Sequence, residues 1–186
     1  MLRIGREGAD YRPYYCEENV WRLLARPELG DVASWAVIAS NAAREIICLR
    51  QRAGRPVDGL VRWDYHVFAV ADDPVAGRLA LDLDSDLPFP GPLARYLGLS
   101  FPPDVQPAFA PTFRVIKGSD FVAGFVSDRS HMRRPDGSWI APPPPWPAPG
   151  SGSGRPSILM DWTDMGRRSP GAVYAAARMA AFAAGR

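Results

Sequence analysis

The sequence predicts an α+β domain: a helix, then mostly antiparallel strands, then a closing helix. Residues 17–26 (EENVWRLLAR) set Val20, Trp21 and Leu24 on one helical stripe, with acids in the first turn and Arg26-Pro27 at the end. Between 34 and 117 the apolar runs are short and several alternate with the two-residue period of strands. Residues 170–184 are rich in alanine and begin with Pro170, a residue suited to the first helical position.

Taken in order, residues 34–40 (SWAVIAS) and 45–52 (EIICLRQR) read as strands separated by a turn at Asn41–Arg44. Residues 61–70 alternate most clearly, with Val61, Trp63, Tyr65, Val67 and Ala69 on one face and Arg62, Asp64, His66, Phe68 and Val70 on the other. A polar link through Asp72, Asp73, Pro74 and Gly77 joins this run to 78–84, so the two form an antiparallel hairpin. Pro88, Pro90 and Pro92 then interrupt regular structure before a short helix over 92–98. A strand over 112–117 leads to a helix over 119–126 with Ser119 as its cap, then a loop over 127–131 and a turn at Asp136-Gly137. The stretch 141–156, with Pro142 to Pro145 unbroken, reads as extended coil tied down by Trp146. The closing helix over 170–184 offers Val173, Tyr174, Ala177, Met179 and Phe182 for burial.

Composition fits one packed domain over residues 1–186. The chain is 47 % hydrophobic with six Trp, six Tyr and eight Phe, enough to bury a core without disulfides or metals. A formal charge of +2, with no basic block interleaved with aromatics, argues against nucleic acid. Two cysteines, Cys16 and Cys48, make a poor disulfide framework, and with His66 and His131 they give no close pair of metal-ligand spacing. The segment Met1–Arg6 lacks the apolar core of a signal peptide, and no apolar run reaches the roughly 18–20 residues needed to cross a bilayer. The expectation is a cytoplasmic monomer that needs neither metal nor cofactor and binds no membrane.

The chemistry is carried by a thiol at the head of the first helix, an imidazole on the clearest strand and carboxylates on the next. A free thiol, with a pKa near ~8.5, is only slightly ionised at neutral pH and needs a base to become a nucleophile. Cys16 stands where unpaired helix N–H groups favour a thiolate and can receive an oxyanion. His66 is the expected base. Its orienting acid is Asp82 or Asp84, on one face of the partner strand, and spacing does not choose between them; Asp64 lies too far along the same strand. Tyr15, Trp21, Trp63 and Tyr65 read first as core, Cys48 likewise, and 127–132 (SDRSHM) is a second dense polar cluster.

These segments resemble the protein N-terminal glutamine amidohydrolase family, in order along most of the chain: YCEENVW at 15–21, WDYHV at 63–67, LDLDSDLPFP at 81–90, FRVI at 113–116, SDRSHM at 127–132, PPPPWP at 142–147 and PGAVY at 170–174. Residues 41–60 and 148–168 carry no matching motif. The resemblance implies a papain/transglutaminase-like fold, with the cysteine-bearing helix packed on a mostly antiparallel sheet that carries the His and Asp. It implies a triad of Cys16, His66 and Asp82, and hydrolysis of the side-chain amide of an N-terminal glutamine to glutamate and ammonia through a thioester. In eukaryotes such a product leads toward an N-terminal degradation signal.

The partners so implied are proteins or peptides with a free N-terminal glutamine. Their α-ammonium requires an acceptor, for which the sequence offers Glu17, Glu18, Asp64 and Asp128, while Trp63 and Tyr65 are the expected aromatic contacts. The same three catalytic side chains would also serve a protease, a transglutaminase-like acyltransferase or an internal glutamine deamidase, and a silent module that only binds N-termini would retain them as a relic.

Overall fold

The run around His66 is apolar on both faces, and the fold buries both. The computed structural model describes residues 2–54 and 56–185. Its elements are α1 (Cys16–Leu24), β1 (Ser34–Ser40), β2 (Ile46–Cys48), β3 (Val61–Trp63), β4 (Tyr65–Asp73), β5 (Gly77–Leu81), β6 (Gly91–Pro92), α2 (Leu93–Ser100), β7 (Thr112–Lys117), α3 (Gly118–Gly124), α4 (Leu159–Thr163), β8 (Ala172–Tyr174) and α5 (Ala176–Ala183). Six strands form one sheet in the order β6-β5-β4-β1-β7-β8, every pairing antiparallel, and β2 pairs with β3 in a small second sheet. The α+β class read from the sequence is the class observed.

Tyr65, Val67, Ala69 and Ala71 of β4 pack with Val20 and Leu23 of α1, Phe121 of α3 and Trp162 of α4. Phe68 and Val70 pack on the opposite face with Leu93 and Tyr96 of α2 and Met179 and Phe182 of α5. Each fully buried Leu, Ile or Phe in these layers contributes about 1.5–3 kcal/mol. The central strands are therefore the most firmly held place in the molecule for a histidine and its neighbours. Among the described residues, no helix is long and apolar enough to cross a membrane.

Several boundaries differ from the sequence reading. The single strand expected over 61–70 breaks at Asp64: β3 pairs with β2, whereas β4 pairs with β1 and β5. The break also shifts the alternation, so Trp63 packs toward the α2 side while Tyr65 faces α1. The expected 45–52 strand shortens to Ile46–Cys48. The helix after β7 begins at Gly118 directly out of the strand, and its N-cap position, Lys117, makes no side-chain bond, so Ser119 is not its cap.

The closing helix is shorter than expected because its first part is a strand. Ala172–Tyr174 add to the outer edge of β7, and α5 starts only at Ala176. Gly171 makes the approach feasible: its φ is +84°, and a Cβ there would fall 2.3 Å from the Val115 carbonyl oxygen. The preceding helix α4 follows a Pro/Gly/Ser-rich loop and was not expected. It is held by Arg114, a fully buried residue whose guanidinium donates to the carbonyls of Trp162, Asp164, Arg167 and Ser169. The Pro-rich stretch has no regular elements, yet it is tied at several points besides Trp146, including Arg12 to the Pro142 carbonyl and Ser127 N–H to the Pro149 carbonyl.

Candidate active site

The first turn of α1 lies against the start of β4. Asn19 N–H makes the first backbone bond of the helix, to the Tyr15 carbonyl, so the N–H groups of Cys16, Glu17 and Glu18 precede the ladder. Asn19 also fastens the incoming chain by exchanging hydrogen bonds with the backbone of Arg12. On the sheet side, β5 stops at the pair Ala69↔Leu81, which leaves Tyr65–Phe68 without a β5 partner. At this opened edge the backbone of Val67 favours the ionised form of the Cys16 sulfur.

Cys16 and His66 line one cavity of about 220 Å³, together with Trp63, Tyr65, Asp84 and His131. The His66 side chain is only 2 % exposed, and its Nε2 stands 3.0 Å from Asp82 Oδ2. A carboxylate can only accept, so Nε2 carries the proton and Nδ1 keeps the free lone pair. Asp82 is fixed in turn by Tyr96 Oη at 2.8 Å and by the Asp84 N–H at 2.9 Å, with a longer bond from Gln51 Nε2 at 3.4 Å.

These contacts set the charges. Burial disfavours a charged His66 ring, but the Asp82 carboxylate and its hydrogen bond outweigh that and raise the imidazole above its ordinary value. Burial likewise disfavours an ionised Asp82, and the charge on His66 with the hydrogen bonds from His66 and Tyr96 brings its carboxyl below the usual range. Cys16 is pushed well above the ordinary thiol value by burial first and by the Glu17 and Asp84 charges next, with the Val67 backbone acting the other way. The thiol therefore keeps its proton until a neighbouring base removes it. Burial and the Asp82 charge raise the Asp84 carboxyl to about 6.

The six substrate-facing candidates part company here. Trp63, Asp64 and Tyr65 line the cavity. The Trp63 Nε1–H is buried without a partner. Asp64 is mostly exposed, accepts the Tyr65 N–H, and has Arg44 4.0 Å away. Glu17 is fully buried behind that wall, where its Oε2 accepts from Tyr65 Oη at 3.2 Å and from the Cys16 thiol at 3.6 Å. Its Oε1 has no hydrogen bond, although His131 Nε2 is 3.5 Å away.

Glu18, the next residue on the helix, has a different set of partners. Both of its oxygens receive Arg129 at 2.7 Å, and Trp146 Nε1 adds a bond at 2.9 Å. Arg129 also donates to the Pro144 and Trp146 carbonyls, so the ion pair pins the Pro-rich loop to the helix. Asp128 is exposed and accepts the Ser130 N–H. Glu17, Glu18 and Asp128 do not line the cavity. Sequence reasoning did not single out Tyr96 and Tyr11, which fasten the two aspartates of LDLD. Both lie on segments distant from the motif, and nothing in their local spacing marks them.

Comparison with known proteins identifies the family. A family model described as N-terminal glutamine amidase matches residues 11–183. A relative from Drosophila erecta, named protein N-terminal glutamine amidohydrolase, is 43 % identical over 172 residues, covering 88 % of this chain and 83 % of its own. Relatives of the same name from Drosophila willistoni and Drosophila melanogaster are 44 % and 42 % identical, with the same coverage of both chains. With nearly all of its length matched, and with the helix-borne cysteine and strand-borne histidine opening onto one cavity, the chain belongs to the N-terminal glutamine amidase family.

Proposed function

We propose that this protein hydrolyses the side-chain amide of an N-terminal glutamine, leaving glutamate and releasing ammonia, with Cys16 as nucleophile, His66 as base and Asp82 as orienter. One observation carries the reading: Cys16 and His66 open onto the same small cavity, while Asp82 holds the far nitrogen of the ring. Family membership supplies the substrate class, and a space of about 220 Å³ suits one side chain better than an extended peptide threaded through a protease cleft.

The steps follow from the charges. His66 Nδ1 takes the thiol proton as the sulfur attacks Cδ of the glutamine. The negative oxygen that forms is received by N–H groups of the first turn of α1, an arrangement in which one donor is worth about 3–4 kcal/mol. The intermediate collapses, and the amide nitrogen leaves as ammonia with the proton from His66. A water molecule then gives a proton to Nδ1 and attacks the thioester, which yields glutamate and restores the thiol. Asp82 keeps Nε2 protonated throughout and stabilises the imidazolium formed in each half-reaction. Trp63 and Tyr65 supply walls of the pocket. A cysteine on a helix packed against an antiparallel sheet fits a papain/transglutaminase-like architecture, acting as one catalytic domain. The working thiol suits a reducing, cytoplasmic setting.

The test is ammonia release from a Gln-initiated peptide beside its N-acetylated and Asn-initiated copies. Turnover of the first alone is expected. Equal rates on the acetylated copy would refute selection of the free N-terminus, and amine incorporation or backbone cleavage seen by mass spectrometry would point to another acyl transfer.

A further inference from the structure

Selecting a free N-terminus requires an anion for the α-ammonium in a pocket walled by Trp63, Tyr65 and Met132. A desolvated ammonium with no acceptor costs several kcal/mol. The acids near the site offer different things. Both Glu18 oxygens are engaged by Arg129, and Asp128 stands outside the cavity. Glu17 also has an unpartnered oxygen, Oε1, but it does not line the cavity. Its Oε2 is 3.6 Å from the sulfur, beside the carbon that would be attacked, whereas the α-ammonium sits at the far end of the glutamine side chain. Asp64 is mostly exposed with Arg44 nearby, so solvent weakens its pull.

Asp84 differs from all of these. It lines the cavity with Cys16 and His66, its Oδ1 is fixed by Tyr11 Oη at 2.8 Å, and its Oδ2 is buried with no hydrogen-bond partner. Its backbone is held as well: the N–H donates to Asp82, and the carbonyl accepts from Arg52 N–H. We propose that the unpartnered Oδ2 of Asp84 accepts the α-ammonium of the substrate and so makes the enzyme selective for a free N-terminus. The inference rests on the amidase reading.

Two features favour this assignment. A buried carboxylate oxygen without a donor is unfavourable in the empty site, and a bound cation relieves it. The carboxyl is also crowded by Asp82, whose charge and burial together raise it to about 6, and an ammonium against Oδ2 reverses that effect. The unpartnered indole N–H of Trp63 in the same cavity offers a donor for the first carbonyl of the substrate. An orphan acceptor and an orphan donor thus share one pocket, matching the ends of an amino-terminal residue.

The test is binding to the full-length Cys16→Ala protein, followed by calorimetry, of a Gln-initiated peptide and of a des-amino copy whose first residue lacks only the α-amine. The native peptide is expected to bind about 10- to 100-fold more tightly than the des-amino copy. Adding Asp84→Asn should collapse that ratio to near unity. Should the double variant not fold, Tyr11→Phe in the same background, which releases Oδ1, is expected to reduce the ratio several-fold. An undiminished ratio in whichever variant folds overturns the assignment, as does equal binding of the two peptides to the Cys16→Ala protein. Failure of the amidase reading shows separately, as absence of ammonia release by the wild-type protein.

Discussion

Asp82 meets the ring of His66 at 3.0 Å although the strand ladder leads toward a different pairing. The β4–β5 register runs from Asp73↔Gly77 to Ala69↔Leu81, and its continuation would set Asp84 across from His66. The chain leaves the ladder after Leu81 instead. The Asp84 N–H bonds back to Asp82 Oδ1, a local turn that aims Oδ2 at the imidazole and carries Asp84 to the wall of the cavity. Two aspartates two positions apart thus meet different surroundings.

Asp82→Asn is expected to lower kcat/KM about a thousand-fold. The amide can present a donor to Nε2 and so favours the wrong tautomer. It also removes the charge that outweighs burial, so the acidic limb of the pH profile should move down, not up. A pH series on wild type and variant, with a melting curve for each, checks both. A larger loss for Asp84→Asn than for Asp82→Asn would contradict the assigned roles.

Cys16→Ala should abolish ammonia release and change Tm by about 3 °C or less, because truncation removes only the sulfur from a side chain that faces a cavity. Thermal unfolding decides the matter: a large fall would make Cys16 a packing residue and not a nucleophile.

Glu17→Gln should lower the pKa of the Cys16 thiol. The Glu17 charge is the second cause, after burial, of the raised thiol value, and the amide keeps the shape of the side chain without the charge. The rate of alkylation by iodoacetamide, followed against pH, is expected to rise at lower pH in the variant. An unmoved midpoint would mean that the carboxylate does not act on the sulfur.

Glu18→Ala addresses the same helix turn with the opposite expectation. It leaves Arg129, whose side chain is 12 % exposed, without its carboxylate, and frees the Trp146 indole. Loss of one partner of a buried pair destabilises by about 3–5 kcal/mol, and loosening of the Pro-rich loop should appear as faster proteolysis between 142 and 147. Denaturant unfolding and limited proteolysis together check it. Retained stability would place the anchor of that loop elsewhere.

The contrast between Glu17 and Glu18 marks how far the sequence alone reaches. The alternation around His66 and the stripe on α1 place both residues on their elements, because periodicity reports which face is apolar. It does not report partners. Arg129 lies 111 residues beyond Glu18, and nothing local distinguishes the glutamate that meets it from the one that meets Tyr65. The same limit hid β8 and α4, whose formation depends on the free edge of β7 and on the carbonyl contacts of Arg114. Within LDLD, the spacing allowed either aspartate to face the ring, since the choice is made where the ladder ends.

The pH dependence of kcat/KM should be bell-shaped, with each limb assignable. As the proposed base, His66 can accept the thiol proton only when neutral, and the Asp82 carboxylate raises its pKa, so activity should climb with pH through a value above the ordinary ~6.5 of an imidazole. Asp84, at about 6, is already ionised over most of that rise and sharpens its lower end. The alkaline limb belongs to the substrate: the α-amine of a peptide has a pKa of roughly 7.7–8.0, and once neutral it no longer calls for a buried carboxylate. A Gln-initiated peptide bearing an N-terminal amine of lower pKa should therefore lose activity at correspondingly lower pH, with the acidic limb unmoved. An alkaline limb that stays fixed across such peptides would assign it to the enzyme and remove the charge on the N-terminus from the basis of recognition.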